Sequence, residues 1–324
     1  MYKLYKKDPL FFIRYNVATI LILGLASVLL YLNWSAFRAA DNDYLLFLAV
    51  IPLALPNLWI IASSGAVVGI VAWTQGYFDT SLQSLVLLPL LGAIIGLQSA
   101  WLMHNASHES IKPAWLNRLV GELSGLQQLA GFPVWAVFHI VHHQNSDDPL
   151  KDPHPPGTLT FREYFRQMGV STGRVVHNVY FELWGDNPRT QRLWRMTMIT
   201  FLLARFTRAV FLLVLLGPTL FVLVLIVSKI VNYAWYIHFN YYTHQPNENG
   251  DMEVLNLNHN LYYKFMNATM AGIYFHKNHH RKASLFDPRT LEPEQADKTL
   301  ISYKGGALAF RDAAKGAGAI AESA

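Results

Sequence analysis

The sequence predicts an all-α integral membrane protein: a bundle of four full spans plus a two-helix short or re-entrant hairpin, with a helical cytoplasmic cap. Three observations carry this reading. Hydrophobic residues make up 52% of the 324 residues and charged ones only 15%, against about 25% charged in ordinary soluble domains. Four long apolar regions run along the chain, at 11–34, 44–75, 82–103 and 197–238. The net charge of +5 and pI of about 9.2 are what Lys and Arg gathered in cytoplasmic segments produce.

The first apolar region follows Lys3, Lys6, Lys7 and Arg14 and is long enough to cross a bilayer once. A signal peptide would need a small-residue cleavage site; the bulky stretch from Leu30 to Trp34 reads as a retained anchor. The region 44–75 has no Lys or Arg, is interrupted by Pro52 and Pro56, and holds Ser63, Ser64 and Gly65, which suggest a turn. It is a broken pair that crosses twice with short helices or dips in and returns. Residues 82–103 are a clean span. Residues 197–238 read as a hairpin of two spans, 197–216 and 219–238, with Gly217 and Pro218 at its apex.

Charge sets the orientation. A basic N-terminus belongs inside; the connection at 35–43, with one Arg and two Asp, and the one at 76–81, with no basic residue, belong outside. The third span then ends inside just before His104, and both ends of the 197–238 hairpin lie inside, with Arg205, Arg208 and Lys229 placed to snorkel to the interface. The polar segments 104–196 and 239–285 form the cytoplasmic cap. The tail, 286–324, shows no evident chemistry, and its end at 313–324, rich in Ala and Gly, reads as frayed. With no internal repeat, residues 1–324 read as one domain.

The chain has no cysteine. That excludes disulfides, thiolate metal sites, a cysteine nucleophile and a built-in iron–sulfur or rubredoxin centre. Histidine is the informative residue. Of 13, eight fall in three groups: His104 and His108 at i and i+4, then His139, His142 and His143, then His276, His279 and His280, both at i, i+3 and i+4. On a helix those offsets share a face, so each group can aim its imidazoles at a common point. At this histidine frequency one such triple is expected about 0.02 times by chance, and two are present. Lone histidines usually sit satisfied in a core or on a surface, but that does not explain a repeated spacing at the ends of apolar spans. Eight imidazoles exceed what one ion needs. Neutral imidazole suits Zn, Cu, Fe and Ni. A structural zinc site expects cysteine, and a hydrolytic one a nearby Glu base in a His-Glu-x-x-His run, which is absent. A nitrogen-rich pair of irons able to activate oxygen fits best.

In this order and setting the three groups resemble the membrane fatty acid desaturase and hydroxylase superfamily, marked by HxxxH or HxxxxH, then HxxHH, then HxxHH. The resemblance runs from about Leu82 to Leu285 and is closest to acyl Δ9-type desaturases. There the second motif continues as HHxxxDxxxDPH; here Asp152-Pro153-His154 falls close to that place after His142 and His143. The branch's GEGFHNYHH is matched by Gly272, Phe275 and the three histidines, with Ile273 and Tyr274 replacing its Glu and Gly. Its NxxxH is matched by Asn240 and His244. The resemblance therefore implies His244 as a ninth ligand and Asn240 as a ligand through water, joining His104, His108, His139, His142, His143, His276, His279 and His280. The run from Asn240 to His244, followed by Asn258-His259, is also similar to alkane hydroxylases of the same superfamily. The resemblance implies two iron ions in the cap, an O2-dependent oxidoreductase acting on a fatty acyl chain, an apolar substrate tunnel, and no catalytic base apart from the metal ligands. Desaturation leads; a hydroxylase or a decarboxylase releasing terminal alkenes is the alternative, since scaffold alone does not choose the reaction. A membrane metal-binding or transport protein is a third reading, disfavoured because transporters place ligands near the bilayer midplane.

Ligating imidazoles need their second nitrogen fixed, for which Glu109, Glu122, Asp147, Asp148, Asp152 and Glu182 are candidates, each equally readable as a solvated charge. His154 either orients the second motif or caps a turn. His259 is open between support and structure, whereas His177 and His238 read as structural. The run His154-Pro-Pro-Gly157 does not make a haem motif. Trp101, Trp115, Trp135 and Trp184 either line a cavity or mark the membrane interface. Arg162, Arg166, Arg174, Arg189, Arg192 and Arg195 give a basic surface for an acidic electron donor, an acyl carrier or CoA, or for lipid headgroups. The expected partners are a lipid or acyl substrate, an external electron-donor protein and the membrane, with no nucleic acid. The expected location is a bacterial inner membrane with the site facing the cytoplasm.

Overall fold

The computed structural model describes residues 1–33 and 44–305; the connection at 35–43 and the end at 313–324 lie outside them. The described chain is mostly helical, with one small sheet that an all-α reading did not include. The helices are α1 (Tyr2–Tyr5), α2 (Phe11–Asn33), α3 (Tyr44–Val50), α4 (Leu58–Thr74), α5 (Leu82–Ser107), α6 (Ala114–Gln127), α7 (Phe132–Gln144), α8 (Phe161–Trp184), α9 (Pro188–Leu220), α10 (Val227–Thr243), α11 (Leu261–Thr269), α12 (His276–Arg281) and α13 (Pro293–Ala296). Strands β1 (His244–Pro246), β2 (Met252–Val254) and β3 (Ile301–Tyr303) form an antiparallel sheet in that order. Among the described residues, three helical runs are long and apolar enough to cross a membrane: Phe11–Asn33, Leu82–Ser107 and Pro188–Thr243. The chain divides into two compact units, residues 1–100, 122–134 and 184–234 in the first and residues 101–121, 135–183 and 235–324 in the second.

In the first unit the Pro188–Thr243 run folds back on itself. Gly217 takes φ 74° and ψ 162°, a conformation open to glycine and costly for other residues, and Pro218 has no N–H to continue the ladder. Arg205 and Lys229 flank Gly217 twelve residues away on either side. On an unbroken helix they would stand about 36 Å apart. Instead Arg205 donates to the Leu129 carbonyl at 3.1 Å and Lys229 to the carbonyl of Gln128, so the two arms lie side by side. The second arm opens with a π turn, Phe221–Ile226. Leu46, Leu53, Val68, Leu213, Phe221 and Leu225 are the centre of the apolar core.

The buried cations of this unit correct the snorkelling expectation. Arg205, Arg208 and Lys229 are buried. Arg205 also donates Nε to the Ala54 carbonyl at 3.0 Å, and Arg208 reaches the Tyr15 hydroxyl (3.4 Å) and Thr19 (3.3 Å). Ala54 ends a 3₁₀ turn, and Gln128 and Leu129 follow the end of α6. Helix C-termini leave carbonyls unpaired and partly negative, so a buried cation finds compensation there without travelling to water.

A second correction concerns residues 63–65. The break in the 44–75 region falls at 55–57, after the 3₁₀ turn Ile51–Ala54, and ends on Asn57, whose side chain caps α4 by accepting from Trp59 N and Ile60 N. Ser63, Ser64 and Gly65 lie inside α4. Ser63 Oγ is satisfied by the Trp59 carbonyl one turn back at 2.7 Å. Gly65 is there for closeness: a Cβ at that position would stand 2.6 Å from Ile226 Cγ2.

Close approach is tighter still at Gly96, where a Cβ would meet the Ser228 carbonyl oxygen at 2.4 Å. We expect Gly96→Ala to destabilise the detergent-solubilised protein by about 1–3 kcal/mol through overpacking against backbone. Gly173→Ala, with nothing within 4 Å, should be neutral or stabilising by up to about 1 kcal/mol. Thermal melts of the two variants check this.

Candidate metal centre

All nine histidines singled out from the sequence belong to the second unit. α5 carries His104 in its last turn. His108 follows in the turn beyond Ser107, which is pinned by Asn117: its Nδ2 donates to the Ala106 carbonyl (2.9 Å) and its Oδ1 accepts from Ile111 N (3.2 Å). α7 carries His139, His142 and His143, and α12 carries His276, His279 and His280. His244 opens β1, directly after α10.

The rings converge into two groups. His104, His108, His139, His143 and His279 form one; His142, His244, His276 and His280 form the other. In each, one nitrogen per residue lies within 4.8 Å of all the rest, and each group could hold a metal ion. The expectation of a common point per motif is therefore corrected. The i and i+4 members of α7, His139 and His143, enter the five-histidine group, and its i+3 member, His142, enters the four-histidine group. α12 does the reverse: His276 and His280 enter the group of four and His279 the group of five. Helical geometry dictates this split, because positions i and i+4 are about 40° apart around the axis while i+3 and i+4 are about 100° apart.

Spacing and satisfaction both fit a metal. Nε2 atoms stand 3.2 Å apart in His139 and His143, 3.1 Å in His143 and His279, 3.0 Å in His244 and His276, and 3.1 Å in His276 and His280. Two nitrogens bound to one ion at about 2.0–2.1 Å sit roughly 3.0–3.4 Å apart. Several ring nitrogens are buried without a hydrogen-bond partner: Nε2 of His142 and His108, and both nitrogens of His104. A buried polar atom left so is costly, and a lone pair aimed at a cation would account for one nitrogen of each ring.

Two of the six candidate acids hold imidazoles. His142 Nδ1 donates to Asp152, 2.9 Å from each oxygen, and His244 Nδ1 donates to Asp147 Oδ2 at 2.7 Å. Asp152 also accepts the backbone N–H of Asp147 (2.7 Å) and of His154 (2.9 Å). The other four do not meet the groups. Glu122 accepts from the Tyr15 hydroxyl (2.6 Å) in the first unit, Asp148 caps the turn at Leu150 and Lys151, Glu182 faces Lys151 at 3.5 Å on the surface, and Glu109 is exposed. His154 stacks on His142 with centroids 4.5 Å apart, and its Nε2 bonds the Tyr236 hydroxyl at 2.8 Å. Of the tryptophans, Trp135 stacks on His139 at 5.7 Å. His259 is exposed against Tyr263, and His238 bonds the Tyr274 hydroxyl at 3.0 Å. Asn240 is buried, and its amide donates to the Tyr236 carbonyl one turn back (2.9 Å).

Sequence reasoning missed the tail. Ser302, in β3, donates to Asp147 Oδ2 at 2.5 Å. No local pattern marks it, since its partner lies 155 residues away in sequence.

Burial holds His139, His143, His276, His279 and His280 well below the ordinary imidazole pKa and His108 down to about 3, with neighbouring histidines adding to the effect. For His142 burial also opposes protonation, but the Asp152 carboxylate outweighs it and the pKa rises. Asp152 is held down to about 2: its own burial works the other way and is overcome by His142.

A family model described as Fatty acid desaturase matches residues 80–285. No curated protein and no solved structure matches the chain.

The depressed pKa values give a calorimetric expectation. At pH 6, six ordinary imidazoles would hold between about four and five protons and surrender them to metal. The six depressed ones are already neutral, so loading apo-protein with Fe(II) or Co(II) should release only one or two protons, chiefly from His142. Titrations in buffers of different ionisation enthalpy measure the number.

Proposed function

The chain belongs to the fatty acid desaturase family, and from that premise we propose that it oxidises a fatty acyl chain with O2 at a pair of irons. The observation that carries this reading is the sorting of nine buried or half-buried imidazoles into two groups, each of which could hold a metal ion. The ligands would be His104, His108, His139, His143 and His279 for one iron and His142, His244, His276 and His280 for the other, with Asn240 acting through a bound water. Irons held there would supply the oxidising chemistry, O2 activation toward an unactivated C–H bond. The protein's part is to fix the imidazoles through Asp152 and Asp147, and to keep the groups away from solvent.

Desaturation of the acyl-Δ9 type is favoured by the Asp152-Pro153-His154 run, whose carboxylate orients His142, and by the Asn240 to His244 spacing. A hydroxylase or terminal-alkene-forming decarboxylase is the second reading. Its support is Tyr274, which replaces a glycine of the desaturase branch with a buried ring hydrogen-bonded to His238 and Tyr262. We place the chain across a membrane four times, by Phe11–Asn33, Leu82–Ser107 and the two arms of Pro188–Thr243. The Tyr44–Ala54 and Leu58–Thr74 pair either crosses twice with short helices or dips in and returns, and the histidine groups lie on the cytoplasmic side of a bacterial inner membrane. Electrons come from a separate protein, for which the exposed Arg162 and Arg166 offer a basic contact.

Expression in a bacterial host followed by lipid and hydrocarbon profiling tests the reading. An internal alkene supports desaturation. An alcohol, or a terminal alkene one carbon shorter than its precursor, supports the second reading instead. His279→Ala should abolish either product. Iron binding without O2 consumption in the presence of acyl lipids, free acids or acyl-CoA would point to a metal-binding or transport protein.

A further inference from the structure

The four-histidine group is gripped by a segment outside the matched residues 80–285. Ser302 Oγ donates to Asp147 Oδ2 at 2.5 Å, and the same oxygen accepts His244 Nδ1 at 2.7 Å. A hydroxyl has one proton. The short contact assigns it to the carboxylate, and the Met252 carbonyl at 3.0 Å is the longer alternative. Asp147 and His244 have no exposed surface, so water does not replace this donor. Ser146, the other hydroxyl near Oδ2, lies at 3.3 Å.

The backbone bearing Ser302 is tied to the same group from two more directions. β3 pairs with β2, and β2 pairs with β1, whose first residue is His244 itself, opposite Val254. Arg281, the residue after His280, donates to the Lys298 and Thr299 carbonyls, the latter at 2.9 Å. The strand therefore has its position fixed relative to both His244 and His280 before the side chain of Ser302 acts.

We propose that Ser302 is a positioning residue for the four-histidine group. Its hydroxyl fixes the Asp147 carboxylate, and that carboxylate fixes the tautomer and direction of His244, so that Nε2 faces the metal. The inference rests on the two-metal reading above. The strand that seats Ser302 adds a constraint that the histidine motifs by themselves do not contain.

The test is anaerobic Co(II) titration of the full-length protein in detergent, with d–d spectra, comparing wild type, Ser302→Ala and Ser302→Thr and recording a thermal melt of each. Wild type should take up two ions. Ser302→Ala should weaken one of them about 10- to 100-fold and shift its spectrum while the other ion and the melt stay near wild type. Ser302→Thr, which keeps the hydroxyl, should restore affinity and spectrum. Two ions bound by Ser302→Ala with wild-type affinity and spectrum would overturn this proposal alone. Equal weakening of both ions together with a lowered melt would also overturn it, by showing a general structural role. Failure of wild type to bind metal would overturn it along with the functional reading on which it rests.

Discussion

Nine imidazoles gathered within one compact unit, six of them buried and three half-buried, are the constraint that the rest of the second unit answers to. Neutral rings in such a cluster bring several nitrogens into a dry interior with nothing to accept or donate, and leaving even one such atom unpaired is expensive. Protonation offers no escape, because burial and the neighbouring rings disfavour positive charge on most of them. A set of lone pairs presented to cations would relieve much of that cost, and each group could hold a metal ion. Helix ends place the rings so: α5 and α7 end at or near their histidines, α12 is little longer than its motif, and β1 begins on one. A side chain at a helix end can project beyond the cylinder, where rings from other elements can meet it.

The loop after α7 shows how much local structure is spent on orientation. Asp147 adopts φ 65°, a left-handed conformation that Asp tolerates better than most residues. That twist lets its backbone N–H turn toward Asp152 while its carboxylate points to His244. One short segment therefore supplies an orienting carboxylate to a histidine on the helix just before it and another to a histidine 97 residues further on than Asp147.

What the sequence made legible follows the range of the interactions. The histidine triples were readable because helical periodicity alone aligns them, and the apex at Gly217 and Pro218 was readable because an adjacent Gly-Pro pair within a long apolar run is a strong local signal for a break. The 2+1 division of each triple follows from the same periodicity, but which group each part enters was not readable, since that needs the position of the other helix. His244 stands alone in sequence and was found through resemblance. Asp152 and Asp147 could be named as candidates but not told from Asp148 or Glu122, whose charges are equally suited. Residues 63–65 were misread because small residues serve both turns and close helix packing, and composition does not distinguish them. Arg205 and Lys229 were misplaced because the carbonyls that receive them belong to helix ends remote in sequence.

The two histidine groups are not equivalent, and the difference lies in how donor strength is traded against donor number. Both carboxylates act on the group of four, through His142 and His244. A hydrogen bond from Nδ1 to a carboxylate makes the opposite nitrogen more basic, so four donors there include two strengthened ones. Among the described residues, no carboxylate bonds a ring of the group of five, which has one more imidazole instead. A site short of anionic support can recover binding energy by adding a neutral ligand, and a site with anionic support can do with fewer. On the two-metal reading, that exchange gives a reason for His108 to stand outside the end of its helix, held by a turn that Asn117 pins: α5 places one histidine in its final turn, and the fifth ring of the group comes from the turn beyond it.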